Sequence, residues 1–192
     1  MKTNRLEAFS DGVLAIIITI MVLELKTPEE VTIEALVPLL PVFVSYFISF
    51  IYLGIYWNNH HHLFQITEKV NGKVLWANLN LLFWLSLIPF ATSWVGENHL
   101  ESGPVAFYGF ILLMASIAYF ILQTVIIKHH KEDFILRKAI GKDFKGKLST
   151  ALYIIGLAVS FINSWAAIAC YIIVAILWIV PDKRIEQHIN EA

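Results

Sequence analysis

The chain has 192 residues, of which 58% are hydrophobic and 15% are charged, and its formal net charge is −1. Its mean hydropathy of +0.68 excludes an ordinary soluble domain, and the near-zero net charge gives no indication of a nucleic-acid partner. The single cysteine, Cys170, excludes an intrachain disulfide. We therefore interpret the chain as an integral membrane protein.

The first predicted element is an apolar helix over residues 6–25, which begins with a cluster of polar side chains. Arg5, Ser10 and Asp11 lie at its mouth, where charged and hydroxyl groups are costly in a membrane and usually have a function. Farther along, four residues form one stripe at the spacing i, i+3, i+4 and i+7: Ile16, Thr19, Ile20 and Leu23. Periodicity alone fits a lipid-facing or helix-packing face as well as a pore lining.

Five further apolar runs follow, each at or near the length of about 20 residues that a membrane helix needs. They predict helices over residues 36–57, 74–95, 104–127, 148–163 and 165–180. The last two are short, and a tight turn at Asn163-Ser164 separates them. The predicted fold class is an all-α integral membrane protein, organised as one six-helix transmembrane domain over residues 1–192.

The basic residues of the predicted loops lie almost entirely on one side of the membrane. Only Lys26 falls on the opposite side, where the loops carry mainly glutamates. By the positive-inside rule, both termini are expected in the cytoplasm. The basic segment 128–147 is interpreted as a solvated linker that enforces this topology, and a lipid-headgroup patch or a regulatory site is the alternative.

Ionisable groups are missing from the middle of the predicted spans, since Asp11 and Glu24 lie near the ends of the first helix. Proton-coupled transporters usually need such a group, so a passive path is favoured. No convincing nucleophile motif is present, and we expect neither enzymatic activity nor a cofactor. The run His60-His61-His62 is not expected to hold a metal, because successive side chains on a helix diverge by about 100°. One or two of these histidines are expected to hydrogen-bond to other helices.

Three motifs carry a family likeness. Arg5-x-x-x-Phe9-Ser10-Asp11 opens the first helix, Trp57-x-x-His60-x-x-Leu63-Phe64 ends the second, and Asn78-Leu79 with Leu87-x-Pro89 lies in the third. Together they resemble the transmembrane protein 175 family, the endolysosomal potassium channels and their prokaryotic relatives. The likeness is clear over residues 5–90. A single six-helix repeat resembles the prokaryotic members, because animal members have two repeats in one chain.

The resemblance implies a potassium-permeable, potassium-preferring cation channel in a prokaryotic inner membrane. It further implies a homotetramer with the first helix of each subunit lining a central pore that passes potassium and other monovalent cations passively. Six short helices are too few to enclose a conduit, which also favours a pore on an oligomer axis. In this resemblance Ile16 matches the gating constriction, Thr19 the selectivity threonine and Leu23 a further aliphatic ring. Ile20 lies on the same stripe and joins the predicted gate.

The resemblance also implies that the motif residues tie the first helix to the second and third instead of lining the pore. The predicted motif and network residues are Arg5, Phe9, Ser10, Asp11, His60, Asn78 and, from its position alone, Trp76. At the outer mouth, acidic side chains are expected to concentrate cations. The residues expected there are Glu24, Glu29 and Glu30.

Two other functions remain open at this point. One is a secondary transporter or proton leak that uses Asp11 and His60 as a relay. The other is a membrane scaffold without any ion flux. Currents across a reconstituted membrane separate the three, because only a channel gives stepwise currents that reverse at the potassium equilibrium potential.

Overall fold

The computed structural model of the chain describes residues 3–67, 69–129 and 144–179. These residues form a 3-10 helix at Ile33–Leu39 and the α-helices α1 (Thr3–Leu23), α2 (Leu40–Gln65), α3 (Gly72–Ser86), α4 (Ile88–Glu97), α5 (Ser102–His129), α6 (Phe144–Val159) and α7 (Ser164–Ile179). Four stretches are long and apolar enough to cross a membrane: Thr3–Leu23, Ile33–Gln65, Gly72–Glu97 and Ser102–Lys128. The predicted all-α membrane fold is therefore confirmed.

Helix α2 is longer than predicted, since it continues to Gln65 instead of ending near residue 57. The apolar run does end there, but the polar side chains that follow find hydrogen-bond partners. Asn59, for example, donates to the carbonyl of Ile55 at 2.8 Å. At the other end, Pro41 lies in the first turn, where its missing N–H costs little.

The predicted third helix is divided into α3 and α4 at Leu87. Pro89 lies in the first turn of α4. In a continuous helix its ring would collide with the carbonyl four residues earlier, so the helix restarts just before it. At the start of α3, the Asn71 side chain caps the helix by accepting a hydrogen bond from the N–H of Val74 at 3.0 Å.

The last two helices lie slightly earlier in the chain than predicted. Helix α6 covers Phe144–Val159 instead of 148–163, and both α6 and α7 have 16 residues. Asn163, at the predicted turn, caps α7 by accepting a hydrogen bond from the N–H of Ala166 at 3.1 Å. Residue 180 and most of the basic segment 128–147 lie outside the described residues.

Helix α1 lies at one edge of the bundle, where it packs mainly against α2, α3 and α4. Helix α5 packs against α3, α4, α6 and α7, and the α6–α7 hairpin forms the opposite edge. The core between these elements contains leucines that are no more than 1% exposed: Leu14, Leu53, Leu81, Leu85 and Leu112. Because α1 is an edge helix, one of its faces has no partner within the bundle.

Small and hydroxyl side chains allow the core helices to approach closely. A Cβ atom on Gly109 of α5 would lie 1.9 Å from the Tyr171 hydroxyl, so any larger residue here would displace the buried Tyr171 ring. The hydroxyl oxygens of Thr92, Ser49 and Tyr108 form a chain with spacings of 2.7 and 2.9 Å. This chain links α4, α2 and α5 and satisfies polar groups that lipid cannot solvate.

Candidate functional site

Helix α1 has a buried face and an exposed face along its whole length. The buried face consists of residues that are at most 7% exposed: Thr3, Leu6, Ser10, Leu14, Ile17 and Met21. The opposite face carries the predicted stripe, where Ile16 is 59%, Ile20 43% and Leu23 78% exposed. The stripe is therefore not used for packing within one subunit and is available to a second copy, to lipid or to a water-filled path.

Thr19 lies exposed on the same stripe. Its Oγ1 donates a hydrogen bond to the carbonyl of Ile16 at 2.9 Å, so the hydroxyl hydrogen points back along its own helix. A hydroxyl that donates in this way still has lone pairs that can accept or coordinate. The intrahelical bond and a role toward a cation are thus compatible at this position.

A buried hydrogen-bond network joins α1, α3 and α2. Asn78 Nδ2 donates to Ser10 Oγ at 2.9 Å, and Asn78 Oδ1 lies 2.8 Å from His60 Nε2. Ser10 in turn donates to the carbonyl of Leu6 at 2.9 Å. Since an amide oxygen only accepts, this pattern assigns the proton of His60 to Nε2. The three side chains are at most 1% exposed, so the network fixes which face of α1 turns inward.

A second row of hydrogen bonds joins α1 to the C-terminal half of α2 and to the residues just after it, in antiparallel order. The bonds join Thr3 to the carbonyl of Thr67 at 2.7 Å, Glu7 to Nδ1 of His61 at 2.7 Å, and Asp11 to Nε1 of Trp57 at 3.1 Å. Sequence reasoning missed Glu7, Trp57 and His61 as members of the network. The one available signal was the four-residue spacing of Thr3, Glu7 and Asp11, which places them on one side of a helix.

Three of the predicted network residues lie elsewhere. Arg5 is exposed, Phe9 is 51% exposed and Trp76 is 76% exposed. Among the described residues, none accepts a hydrogen bond from the guanidinium of Arg5. Within the motif, Ser10 and Asp11 thus bind neighbouring helices, whereas Arg5 and Phe9 continue the exposed face that carries Ile16.

An open crevice of ≈ 880 Å³ lies between α1 and α4. Ile16 and Ile20 line it from α1, and Pro89, Phe90 and Trp94 line it from α4. Two of the stripe residues therefore face free space even on the side toward their own subunit. A second chain, lipid or water has to fill this space in the membrane.

Charged side chains gather where α1 and α4 end. Glu24 accepts a hydrogen bond from the hydroxyl of Ser93 at 3.3 Å, and Lys26 binds the carboxylate of Glu97 at 2.7 Å. The hydrogen bond with Glu97 raises the pKa of Lys26 above its ordinary value, and the nearby charge of Glu24 acts in the same direction. Lys26 therefore stays cationic and offsets part of the acidic charge. The remaining predicted acids are exposed on the loop that follows: Glu29 and Glu30.

The successive histidines have separate surroundings. His60 binds Asn78 on α3, whereas His61 binds Glu7 on α1. Within the described ranges, no group of three or more His, Cys, Asp or Glu side chains could hold a metal ion. His60 and His61 therefore serve as inter-helix contacts in this arrangement.

Comparison with known proteins extends these observations. Residues 5–89 match the profile of the family described as endosomal/lysosomal potassium channel TMEM175. Over 191 residues, the chain is 57% identical to a protein named as a potassium channel from Chryseobacterium sp. (strain P1-3), covering 100% of both chains. It is 31% identical over 193 residues to a protein named as a potassium channel from Chamaesiphon minutus, covering 91% of this chain and 92% of the other.

A solved structure and a vertebrate protein are also similar. The crystal structure of a lysosomal potassium-selective channel TMEM175 homolog from Chamaesiphon minutus superposes with a TM-score of 0.78, at 28% identity, over 94% of this chain and 97% of the other. A Gallus gallus protein named endosomal/lysosomal proton channel TMEM175 is 30% identical over 148 residues, which cover 69% of this chain and 30% of that protein. The similarity thus reaches well past the motif-bearing first half.

Proposed function

Because this chain belongs to the TMEM175 family, as its motifs predicted, we propose that it is the subunit of a potassium-preferring cation channel. Both bacterial relatives are named as potassium channels, and the solved relative is described as potassium-selective. The channel conducts passively, without a cofactor or an enzymatic step. We place it in a prokaryotic inner membrane with both termini in the cytoplasm, in accord with the distribution of its loop lysines.

The observation that carries this proposal is the division of α1 into an anchored face and an unpartnered stripe. Ser10 and Asp11 bind side chains on α3 and α2, so the helix cannot rotate freely about its axis. A helix that merely faced lipid would gain little from such anchoring, because every apolar orientation is equally acceptable to lipid tails. Fixed rotation matters when specific side chains must point at one another across a symmetry axis.

Four copies of α1 around such an axis would stack the stripe as successive rings. Ile16 forms the narrowest ring, and apolar side chains there exclude water and ions until the ring widens. Thr19 forms a ring of four hydroxyls one turn farther along. Ile20 and Leu23 form further aliphatic rings between Thr19 and the outer mouth. Six short helices are too few to enclose such a path within one subunit, so the proposal includes a homotetramer.

The outer mouth is the end at which α1 and α4 terminate. Glu24 lies there, and Glu29 and Glu30 follow on the exposed loop. Their negative potential raises the local concentration of cations and repels anions. Lys26 reduces this potential, since its charge is held in the pair with Glu97.

Planar-bilayer recording of the purified chain tests the proposal. Under opposing potassium and sodium gradients, we expect stepwise currents that reverse near the potassium equilibrium potential. Saturable flux coupled to a second ion would instead indicate a secondary transporter, and a silent membrane containing folded protein would indicate a scaffold. Either result contradicts the channel.

Proton conduction is a second candidate because vertebrate relatives are named as proton channels. In this chain Asp11 binds Trp57 instead of His60, so the two residues of the proposed relay are not joined by a direct hydrogen bond. A pH gradient in potassium-free solution tests this activity in the same bilayer. A proton current that persists in His60→Gln would argue against the relay and for passage through the α1 pore.

A further inference from the structure

A wide groove runs between α3 and α5 at the end of the bundle where α3 begins. It has a volume of ≈ 750 Å³ and is lined by Lys73, Trp76 and Asn80 on α3 and by Ile121 and Val125 on α5. The Trp76 side chain is 76% exposed and Ile121 is 41% exposed. The groove therefore has an apolar wall on α5 and a wall on α3 that includes Lys73 and Asn80, and the bulky aromatic side chain of Trp76 lies exposed at its edge.

Positive charge surrounds the mouth of this groove. Lys69 and Lys73 are exposed beside the start of α3, and Lys128 is exposed on α5, three residues beyond Val125. The described carboxylates at this end of the bundle are Glu7 and Asp11, and both are bonded to side chains of α2, which does not line the groove. Among the described residues, the charges around the groove mouth are therefore those of the lysines, and Glu68, which precedes Lys69, lies outside the described residues.

We propose that this groove binds an anionic phospholipid. The phosphate lies between the ammonium groups of Lys73 and Lys128, and an acyl chain lies along Ile121 and Val125. The Trp76 ring packs at the level of the headgroup, where tryptophan is favoured in membrane proteins. Basic pockets between membrane helices on the cytoplasmic side are known to bind acidic lipid headgroups.

Two observations favour lipid over another occupant. The end of the bundle that carries the groove is the end where the loop lysines gather, so the mouth lies at the level of negatively charged headgroups. The mouth is also open at Gly72, where an added Cβ atom would meet nothing within 4 Å, so no side chain blocks access to the groove there. A copy related by a two-fold axis at this groove would bring the same lysines against one another, so the charge disfavours an isologous contact here.

Native mass spectrometry of the full chain with added phosphatidylglycerol or phosphatidylcholine measures the binding directly. We expect tight adducts with phosphatidylglycerol and weaker ones with phosphatidylcholine. Each lysine removed should weaken phosphatidylglycerol binding about fivefold, and Lys73→Gln with Lys128→Gln about 25-fold. Lys147→Gln is the matched control, because Lys147 is exposed at the same end on α6, whereas Lys73 lines the groove and Lys128 follows the lining residue Val125 by one turn of α5.

Three outcomes would overturn the proposal. Equal affinity of the double variant and the native chain would show that the two lysines do not hold the phosphate. An equal loss in Lys147→Gln would show that only the overall charge matters. Cross-linking of Lys73→Cys to a second copy, in a Cys170→Ser background, would show that protein covers the groove.

Quenching of tryptophan fluorescence gives an independent measurement in vesicles. Phosphatidylglycerol with brominated acyl chains should quench the native chain more than brominated phosphatidylcholine does at equal mole fraction. The difference should disappear in Trp76→Phe, which keeps an aromatic ring in place. A difference that survives in Trp76→Phe would place the preferred lipid at another tryptophan and contradict the proposal. None of these readouts depends on channel activity.

Discussion

Thr19 carries the hydroxyl on the stripe of α1 that the proposed pore uses for selectivity. Its hydrogen is donated to the carbonyl of Ile16, which leaves the oxygen lone pairs for a partly dehydrated cation. We expect Thr19→Val to lower the K⁺/Na⁺ permeability ratio while the tetramer stays intact, since volume is kept and the oxygen is lost. Bi-ionic reversal potentials measure the change, and Thr19→Ser is the control that retains the hydroxyl. Native reversal potentials in Thr19→Val would assign selectivity to the aliphatic rings.

Ile16 is the residue at which gating should be most sensitive. We expect Ile16→Ala and Ile16→Asn to raise basal current, because the first widens the ring and the second favours its wetting. Ile154→Ala is a suitable control, since Ile154 is 53% exposed on α6 at the opposite edge of the bundle. Single-channel recordings provide the measurement. Unchanged open probability in both Ile16 variants would move the gate to Ile20 or Leu23.

Lys26 offers a test of the outer mouth. Its pKa is raised by the bond with Glu97, so it remains cationic throughout the neutral range and titrates only at higher pH. Lys26→Gln should therefore leave the mouth more negative and increase potassium conductance at low ionic strength, with a smaller effect at high salt. Lys26→Arg preserves the charge and serves as the control. A salt-independent change would indicate a rearranged loop instead of an altered potential.

At the scale of elements, the hydrogen bonds that attach α1 to its neighbours fall into two groups. Removal of a bond in the first, buried group strongly lowers the stability of the protein, whereas removal of one in the second, exposed group lowers it less. Ser10, Asn78 and His60 are fully buried, so removing one partner leaves others unsatisfied. Hydrogen bonds between membrane helices average about 0.6 kcal/mol, but an unsatisfied buried group adds about 1–3 kcal/mol. Asn78→Ala should therefore lower thermal stability in detergent clearly more than Trp57→Phe, which removes a bond at an exposed position.

The hydrogen bond of Asp11 belongs to the second group, whose removal lowers stability less. Sequence alone would treat it as a buried charge, whose loss costs about 3–5 kcal/mol. In the structure it is only partly buried and its partner Trp57 is 46% exposed, so Asp11→Ala should cost less than Asn78→Ala. The order of the two melting temperatures checks this. The reverse order would mean that Asp11 becomes buried when subunits assemble.

The helices themselves were largely predictable, and the exceptions have physical causes. Hydropathy located the membrane spans, but it placed the end of the second helix near residue 57. It contains no information on hydrogen-bond partners, and His60 and His61 have theirs on α3 and α1. It also ran through Pro89, because proline is tolerated in membrane helices when neighbours satisfy the freed backbone. The division at Leu87 follows from the ring of Pro89, whose steric effect on the backbone a hydropathy average does not include.

For the whole molecule, oligomeric state is the decisive property. The stripe of α1 is exposed, and the crevice beside α4 is open in a single chain. We expect native mass spectrometry in mild detergent to give tetramers. Monomers or dimers across several detergents would remove the axis on which the proposed pore depends.

Those parts of the candidate site that depend on helical periodicity or on sequence motifs were predictable. The contacts that depend on the position of α2 along α1 were not. The stripe of Ile16, Thr19, Ile20 and Leu23 followed from helical spacing, and Ser10 with Asn78 and His60 followed from the family resemblance. The partners Glu7–His61 and Asp11–Trp57 depend on how far α2 slides along α1, which no pattern within one helix specifies.

The one-sided attachment of α1 has a mechanical meaning. Among the described residues, the buried polar bonds from α1 to other elements lie between Thr3 and Ser10. Beyond Gly12 the helix is held by apolar contacts, which have no preferred direction, and just past Leu23 only the solvent-exposed bonds of Glu24 and Lys26 to α4 follow, which contribute little. Such a helix is a cantilever, clamped at one end and compliant at the other. With a rise of about 1.5 Å per residue, a tilt of about 5° at Gly12 moves Ile16 by about 0.5 Å and Leu23 by about 1.4 Å. The same small force therefore opens the outer rings further than the ring nearest the clamp.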